Sequence, residues 1–229
     1  MAYLPLLLGH RGSRASPAVP ENTLASFDLS LEHGCDGFEF DVRLAACGTA
    51  VICHDPKVGK LTIASTQASR LPKLPRLTDV LQRYSQRAFL DIELKVKDLD
   101  SKVLTALSEH PPAQGYVVSS FIPDVVMDLE ARSATVSIGI ICETASQLSR
   151  WPKLPVDYVI AHQSLVNREL VQELHGAGIK IFVWTVNDAA AMLRFGGWEV
   201  DAIISDDTKL LVHTFKTNGG IERSRGMNG

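Results

Sequence analysis

Three carboxylates are spaced so that they can meet at one point. Glu39 and Asp41 lie two residues apart in a run with strand character, and alternate residues of a strand point to the same face. Glu93 ends a second such run, and Lys95 shares its face. Converging carboxylates repel one another unless a cation joins them, and all-oxygen ligands suit Mg²⁺ or Ca²⁺. We therefore predict one divalent-metal site formed by Glu39, Asp41 and Glu93.

Two histidines and two further basic residues are expected beside this cluster. His10 and His54 each end a predicted strand, and imidazole titrates near neutral pH, so the pair can act as a general acid and a general base. Arg11 and Lys95 add fixed positive charge. Such a group would stabilise the charge on the non-bridging oxygens during phosphoryl transfer. The chemistry predicts a substrate that carries phosphate.

The elements that must position these residues alternate along the chain. Short aliphatic or β-branched runs predict eight strands, at 4–9, 37–43, 89–93, 116–120, 136–142, 158–161, 180–185 and 201–205. Apolar residues at helical spacing predict helices between them, at 23–33, 77–84, 99–107, 124–131 and 169–176. Eight such units in about 200 to 250 residues favour an α/β fold of the (β/α)8 TIM-barrel type, with a doubly wound sheet as the alternative. Barrel chemistry collects at the carboxyl ends of the strands.

Two stretches depart from this alternation. After the second strand, a tight turn at Cys47 and Gly48 predicts a hairpin in which Asp41 lies opposite His54. Residues 56–76 follow as a short loop-like cap over the barrel mouth. We expect one catalytic domain over residues 1–215 and a flexible tail over 216–229.

Composition narrows the class of protein. Of the 229 residues, 45% are hydrophobic and 21% are charged, as in a soluble globular protein. The net charge of −3 offers no general attraction for nucleic acid or for an anionic membrane. The chain has no run of about 18 apolar residues that would predict a membrane anchor. The four cysteines show no C-x-x-C spacing, which favours a reduced, cytoplasmic setting. The sequence leaves the oligomeric state open.

A series of motifs in the expected strand-end positions resembles the glycerophosphodiester phosphodiesterases. The matching pieces are His10-Arg-Gly12, Pro20-Glu-Asn-Thr23, Glu39-Phe-Asp-Val42, Val51-Ile-Cys-His-Asp55, Glu93-Leu-Lys95, Ser119-Ser-Phe121, Trp184-Thr-Val-Asn187 and Ile203-Ile-Ser-Asp206. Each piece is weak alone, but eight in order over nearly the whole chain are specific. The resemblance implies metal-dependent hydrolysis of glycerophosphodiesters, such as glycerophosphocholine or glycerophosphoethanolamine, to sn-glycerol 3-phosphate and an alcohol.

The resemblance also assigns roles by position. It makes Glu39, Asp41 and Glu93 metal ligands, with His10 and His54 as the acid and base and with Arg11 and Lys95 on the phosphate. It allows His10 to contact the metal as well. The cap departs from the family pattern at Pro56-Lys-Val-Gly-Lys60, and Ala202 and Ser205 replace the commoner glycine and threonine.

Several positions have a second interpretation. Asn22 either contacts substrate or caps the first helix, and Trp184 either lines the alcohol pocket or packs in the core. His162 ends a strand but is left out of the catalytic set. Cys53 precedes His54, yet adjacent strand residues point to opposite faces, so we expect a buried thiol.

Other functions stay open at the level of the sequence. A lysophospholipase D-like or cyclic-phosphate-forming enzyme of the same barrel type would act on acylated substrates, although the cap has only scattered apolar residues. A non-catalytic barrel that binds a phosphorylated ligand is the alternative of another class. A phosphosugar isomerase is disfavoured, because Asp206 and Asp207 follow the last strand where such barrels bind phosphate.

Overall fold

The structure is a computed structural model that describes residues 4–15 and 17–219. Its strands are β1 (Leu6–Gly9), β2 (Gly37–Leu44), β3 (Ala50–Ile52), β4 (Lys57–Val58), β5 (Leu61–Thr62), β6 (Phe89–Leu94), β7 (Tyr116–Ser120), β8 (Ile138–Cys142), β9 (Tyr158–His162), β10 (Lys180–Trp184) and β11 (Ala202–Ser205). Its α-helices are α1 (Leu24–His33), α2 (Leu77–Tyr84), α3 (Asp100–Glu109), α4 (Pro123–Arg132), α5 (Ala145–Leu148), α6 (Arg168–Gly176), α7 (Ala189–Gly197) and α8 (Thr208–Gly219).

Eight of these strands form a closed parallel ring. Their order is β1-β11-β10-β9-β8-β7-β6-β2, and β1 also pairs with β2, which closes the barrel. Helices connect the strands on the outside. The predicted (β/α)8 barrel is therefore confirmed, and each predicted strand is present with ends that differ by at most two residues.

The barrel has an inner and an outer apolar core. Inside the ring, Leu8, Phe182 and Ile204 belong to a compact buried cluster. A larger cluster fills the layer between the outer faces of the strands and the helices. Alternate residues of a strand point to opposite sides, so every barrel strand contributes to both layers. Continuous burial on both sides explains why the strands read as apolar runs in the sequence.

The connection from β1 to α1 is a tight turn. Gly12 has φ of +80°, and a Cβ atom at this position would approach the Ser26 carbonyl carbon to 2.5 Å. The turn brings Thr23 to the N-cap position, where its hydroxyl accepts a hydrogen bond from the Ser26 amide. Thr23, and not Asn22, therefore caps the first helix, and the N-cap interpretation of Asn22 is wrong.

The hairpin after β2 exists, but its predicted register is wrong. The ladder pairs Val42 with Ile52, and the Cys53 amide donates a hydrogen bond to the Asp41 carbonyl at 3.0 Å. Cys53 rather than His54 thus lies opposite Asp41. The physical reason is the loop, which spans residues 45–49 with Gly48 at φ of +78° instead of being a two-residue turn.

The predicted cap, residues 56–76, folds as a two-stranded β4–β5 ribbon followed by two short 3-10 turns. Its apolar side chains face the hairpin, where Ile63 and Leu71 are buried against Ala45 and Val51. The segment therefore has a small core of its own.

The C-terminal helix crosses the predicted domain boundary. Helix α8 continues to Gly219, so residues 216–219 are helical and the boundary at 215 is too early. The rest of the predicted tail, residues 220–229, lies outside the described residues. Among the described residues, no helix combines the length and the apolar character that crossing a bilayer requires.

Candidate active site

A cleft of about 260 Å³ opens at the carboxyl ends of the barrel strands. Ionisable and apolar side chains share its wall. The lining residues are His10, Arg11, Glu39, His54, Asp91, Glu93, Lys95, Phe121, Ile141, Glu143, Ile160, Trp184 and Ile204. Seven of the nine predicted site residues line this cleft, and the other two, Asp41 and Asn22, lie behind the lining.

The three predicted metal ligands form one cluster. β2 and β6 pair in parallel with Asp41 beside Glu93, and Glu39 points to the same side two residues earlier on β2. One carboxylate oxygen from each of the three residues lies within 4.8 Å of the others, and all three residues are buried. The register of two neighbouring strands therefore places three negative groups at one point.

Burial and the close approach of the three carboxylates shift their pKa values. Burial and the neighbouring carboxylates raise the pKa of Glu39 well above its ordinary value, and the same causes raise the pKa of Glu93 to about 7. Burial also favours a higher pKa for Asp41, but Lys95, Arg11 and the Asn22 hydrogen bond outweigh it, and the pKa is lowered. A bound cation would relieve this repulsion and favour the ionised forms.

The donor set fits a hard divalent ion. Glu39 Oε1 is a buried oxygen without a hydrogen-bond partner within the described part of the chain. Asp41 Oδ1 and Glu93 Oε1 are also buried, and Lys95 Nζ lies 3.3 Å from the first and 2.6 Å from the second. Carboxylate oxygens gathered at one point are the ligands that Mg²⁺ and Ca²⁺ prefer.

Arg11 sits at the edge of the cluster in a left-handed conformation, with φ of 53°. Its amide donates to Glu39 Oε2 at 2.9 Å, while its guanidinium lies 3.3 Å from Asp41 Oδ2 and donates to Glu21 at 2.8 Å. The backbone of Arg11 thereby fixes one carboxylate and its side chain balances another. Its charge remains beside the cleft.

The two histidines have matching carboxylate partners. His10 Nδ1 lies 2.7 Å from Asp206 Oδ1, and His54 Nδ1 lies 2.8 Å from Asp55 Oδ1. Hydrogen bonding to His10 and Asn187 outweighs burial and lowers the pKa of Asp206 to about 2, while the hydrogen bond to His54 lowers the pKa of Asp55. An ionised carboxylate only accepts, so each Nδ1 carries a hydrogen.

This tautomer leaves Nε2 of each ring to exchange a proton. His10 Nε2 lies 3.9 Å from Glu39 Oε2, at the edge of the carboxylate cluster. His54 follows β3, and its backbone carbonyl accepts hydrogen bonds from Arg43 Nε at 2.8 Å and Arg43 Nη2 at 2.5 Å. Arg43 therefore holds the backbone at His54, which lines the cleft even though the hairpin register differs from the prediction.

Asn22 serves the carboxylate cluster from behind. Its Nδ2 donates to Asp41 Oδ2 at 2.7 Å, and its Oδ1 accepts from the Asp41 amide at 3.2 Å. The side chain is buried and does not line the cleft, and its hydrogen bonds orient Asp41; the predicted substrate contact stays a prediction.

Trp184 lines the cleft as the sequence predicts. Its indole N–H donates to the Ile160 carbonyl at 3.2 Å, and its ring packs edge-on against Phe121 at 5.7 Å. His162 packs against the same indole at 5.4 Å and accepts a hydrogen bond from the Ser164 amide, but it does not line the cleft.

Sequence reasoning missed three acidic residues of this region. Asp91 is buried in the barrel, where burial raises its pKa to about 7 and its Oδ1 accepts a hydrogen bond from Ser119 at 2.6 Å. Asp206 ends one of the matching motifs and was expected to repel phosphate, but it was given no role in the site. Glu143 directly follows β8 and lines the cleft. Glu143 and Asp206 directly follow strands, which was the available signal for these two, whereas Asp91 lies within β6.

Comparison with known proteins identifies the family. The profile of the Glycerophosphoryl diester phosphodiesterase family matches residues 10–86 and 78–210 of the chain. The chain belongs to this family. The match includes every predicted site residue and seven of the eight barrel strands, and it begins directly after β1.

Curated relatives agree with the family assignment. The glycerophosphodiester phosphodiesterase of Caldanaerobacter subterraneus is 28% identical over 93% of this chain and 99% of its own length. That of Bacillus subtilis is 24% identical over 88% of this chain and 83% of its own length. The prediction of a phosphodiesterase-family enzyme is therefore confirmed.

Two solved structures share the whole fold. An Oleispira antarctica phosphodiesterase, solved with its product sn-glycerol-3-phosphate, superposes with a TM-score of 0.81 at 25% identity and covers 93% of this chain and 97% of its own. A Thermotoga maritima glycerophosphodiester phosphodiesterase superposes with a TM-score of 0.77 at 26% identity, over 92% of this chain and 98% of its own. The roles of the individual site residues stay predictions.

Proposed function

We propose that this protein hydrolyses deacylated glycerophosphodiesters to sn-glycerol 3-phosphate and a free alcohol, with one divalent cation, Mg²⁺ or Ca²⁺, held by Glu39, Asp41 and Glu93. The observation that carries the proposal is the convergence of three buried carboxylates and two carboxylate-paired histidines at one barrel mouth. The family, the relatives and the product complex of the Oleispira antarctica enzyme support the same substrate class.

The proposed reaction breaks the bond between phosphorus and the alcohol oxygen and forms a bond between phosphorus and the attacking oxygen. One histidine Nε2 removes the proton of the attacking hydroxyl, and the other donates a proton to the departing alcohol oxygen. Arg11 and Lys95 lie beside the carboxylates and stabilise charge on the non-bridging phosphoryl oxygens. When bound, a divalent cation supplies further Lewis-acid stabilisation of those oxygens.

The size and walls of the site favour deacylated substrates. A cleft of about 260 Å³ lies below the roughly 300–1,000 Å³ that is usual for drug-sized ligands. The apolar residues of the cap are turned into its own core, where Ile63 and Leu71 are buried. No exposed apolar lip for an acyl chain is therefore found in the cap.

We retain the cytoplasm as the proposed location. Cys35, Cys47, Cys53 and Cys142 form no disulfide with one another, which agrees with a reducing compartment.

The test is release of sn-glycerol 3-phosphate from glycerophosphocholine and glycerophosphoethanolamine, with Mg²⁺, with Ca²⁺ and with EDTA. We expect cation-dependent turnover that falls by about 10²- to 10⁴-fold in Glu39→Gln and in His54→Ala. Glu130→Gln on α4 and His110→Ala at the end of α3 are matched controls remote from the cleft and should retain activity.

The same assay separates the alternatives. Turnover of lysophosphatidylcholine in preference to both deacylated diesters would contradict the proposal and favour the acylated substrate class. Binding of the diesters without any turnover would favour a non-catalytic barrel. Detection of glycerol cyclic phosphate by phosphorus NMR would show that the attacking oxygen is the substrate's own hydroxyl, whereas its absence during early turnover would indicate water.

A further inference from the structure

We infer that Glu143, Phe121 and Trp184 form a subsite for a positively charged alcohol, so that Glu143 makes the enzyme prefer zwitterionic diesters. The inference rests on the proposed function and adds to it the charge of the leaving group. The three residues line the same cleft as the predicted phosphate-binding groups.

Strand order separates two halves of the barrel mouth. The carboxylates, histidine and cations of the proposed phosphate end come from β1, β2 and β6 and the residues that follow them, which are neighbours in the ring. In the order β1-β11-β10-β9-β8-β7-β6-β2, strand β8 is four steps from β1 in either direction. Glu143 directly follows β8, so it stands across the mouth from His10 and Arg11.

The Glu143 carboxylate has no cation of its own. Its side chain is exposed, and no ion pair or hydrogen bond to it occurs among the residues that the structure describes. The cations of the cleft are engaged elsewhere, since Arg11 pairs with Glu21 and Asp41, and Lys95 pairs with Asp41 and Glu93. The charge of Glu143 is therefore available to a ligand.

The backbone of Glu143 is held in place. Its amide donates to Gln147 Oε1 at 2.8 Å, and the Thr144 side chain caps α5 next to it. A negative charge on a fixed backbone, open to the cleft, can attract an ammonium group without reorganisation of the chain.

Two aromatic rings stand on the same side of the cleft. Phe121 follows β7 and packs edge-on against Trp184 at 5.7 Å, and the indole is fixed by its hydrogen bond to Ile160. Lys95 Nζ lies 5.6 Å from the centre of the Phe121 ring, so this ring already accepts a cation on the phosphate side. Aromatic faces beside a carboxylate are the usual environment for quaternary ammonium ligands.

The resulting charge pattern selects among diesters. A choline or ethanolamine ester places a positive group next to the negative phosphate and matches the cations on one side and Glu143 on the other. A glycerol or inositol ester leaves Glu143 unpaired. We therefore expect preference for cationic alcohols, expressed mainly in KM because this contact exists before the bond breaks.

The experiment compares kcat and KM of the wild type and Glu143→Gln on glycerophosphocholine, glycerophosphoethanolamine, glycerophosphoglycerol and glycerophosphoinositol. We expect Glu143→Gln to raise KM for the two cationic substrates by about three- to tenfold and to leave the two neutral ones within twofold. Glu143→Lys should raise KM for the two cationic substrates further. Glu130→Gln changes the net charge by the same amount as Glu143→Gln and should leave KM for all four substrates unchanged.

Equal losses on all four substrates would overturn the inference and place Glu143 at the shared glycerol moiety. Unchanged KM for the cationic substrates would also overturn it. Phe121→Leu should raise KM for the choline ester more than for the glycerol ester. An equal effect on both would count against the aromatic part of the subsite. If the wild type hydrolyses no diester, the proposed function itself fails, and that result is separate from a loss of selectivity in an active enzyme.

Discussion

His10 Nδ1 lies 2.7 Å from Asp206 Oδ1, although 196 positions separate the two residues in the chain. The contact exists because β1 and β11 are neighbours, with Gly9 beside Ser205 in the ladder. Asn187 holds the other oxygen of Asp206 at 2.7 Å, and its own carbonyl oxygen accepts from the Asp206 amide at 2.9 Å. Asn187 thus holds the ionised Asp206 carboxylate in place, and this carboxylate orients the His10 imidazole.

Asp206→Asn should lower kcat by about 100-fold, because the imidazole loses the charge that fixes its tautomer and stabilises its protonated form. Steady-state kinetics from pH 5 to 9 would also show the acid limb of the profile displaced, which a purely structural defect would not cause. Asp207→Asn is the control, since Asp207 caps α8 and asparagine caps equally well. Equal losses in the two variants would contradict a positioning role for Asp206.

Acid should remove the stabilisation that Asp206 contributes. The pKa of Asp206 in the folded protein is lowered to about 2, below the value of about 3.9 in an unfolded chain. Its contribution is therefore complete above about pH 4 and is lost as the pH falls towards 2. We expect the difference in free energy of unfolding between wild type and Asp206→Asn to shrink in urea titrations from pH 6 to 3. A difference that grows with acidity would contradict this account.

Asn22→Ala should weaken divalent-cation binding by about 10- to 100-fold, because Asp41 loses the two hydrogen bonds that orient it. Calorimetric titration with Mg²⁺ and with Ca²⁺ would measure the change. Asn167→Ala is the control, because it removes the N-cap hydrogen bond of an exposed asparagine at the start of α6 and leaves the cleft intact. Equal affinities in wild type and Asn22→Ala would exclude this role.

Tyr84→Phe should lower the free energy of unfolding by about 1–2 kcal/mol. The ring of Tyr84 is fully buried against Phe27 and Phe38, while its hydroxyl lies 2.8 Å from the Leu24 carbonyl oxygen and 3.1 Å from Asp28 Oδ1. The variant keeps the packing and removes both hydroxyl contacts. Chemical denaturation would measure the loss, and unchanged stability would show that the hydroxyl contacts add nothing.

Cys47 should be the most reactive thiol near neutral pH. It is exposed in the β2–β3 loop, and hydrogen bonds from the Thr49 side chain and the Ala68 amide lower its pKa to about 7. Burial raises the pKa of Cys53 and of Cys142. Mass spectrometry after brief iodoacetamide treatment at pH 7 should find Cys47 modified first. Thr49→Val should slow this reaction, and an unchanged rate would argue against the hydrogen-bond effect.

The barrel was predictable because both sides of each strand are buried. Runs such as residues 116–120 and 180–185 contain almost only residues that fit the two cores, and their alternation with amphipathic helices is typical of this fold. Helix α7 was harder to find, since Ala189–Gly197 contains an alanine run and ends in two glycines, which gives a weak periodic signal.

The hairpin failed for a different reason. A glycine at position 48 suggests a turn but does not fix the loop length, and one extra loop residue changes every cross-strand pair. Some residues that line the cleft were also difficult to predict from the sequence. Asp91 lies within a strand, where its side chain could point to either side, and only the folded structure shows that it faces the cavity.

The first strand of the chain closes the ring of the barrel. Strand β1 inserts between β2 and β11 and pairs in parallel with both. His10 and Asp206 directly follow the first and last strands, so they become partners only when these two strands have paired. In a folding chain, His10 therefore lacks its contact with Asp206 until the final strand has joined the barrel. The proton transfer that we propose for His10 therefore requires a closed barrel.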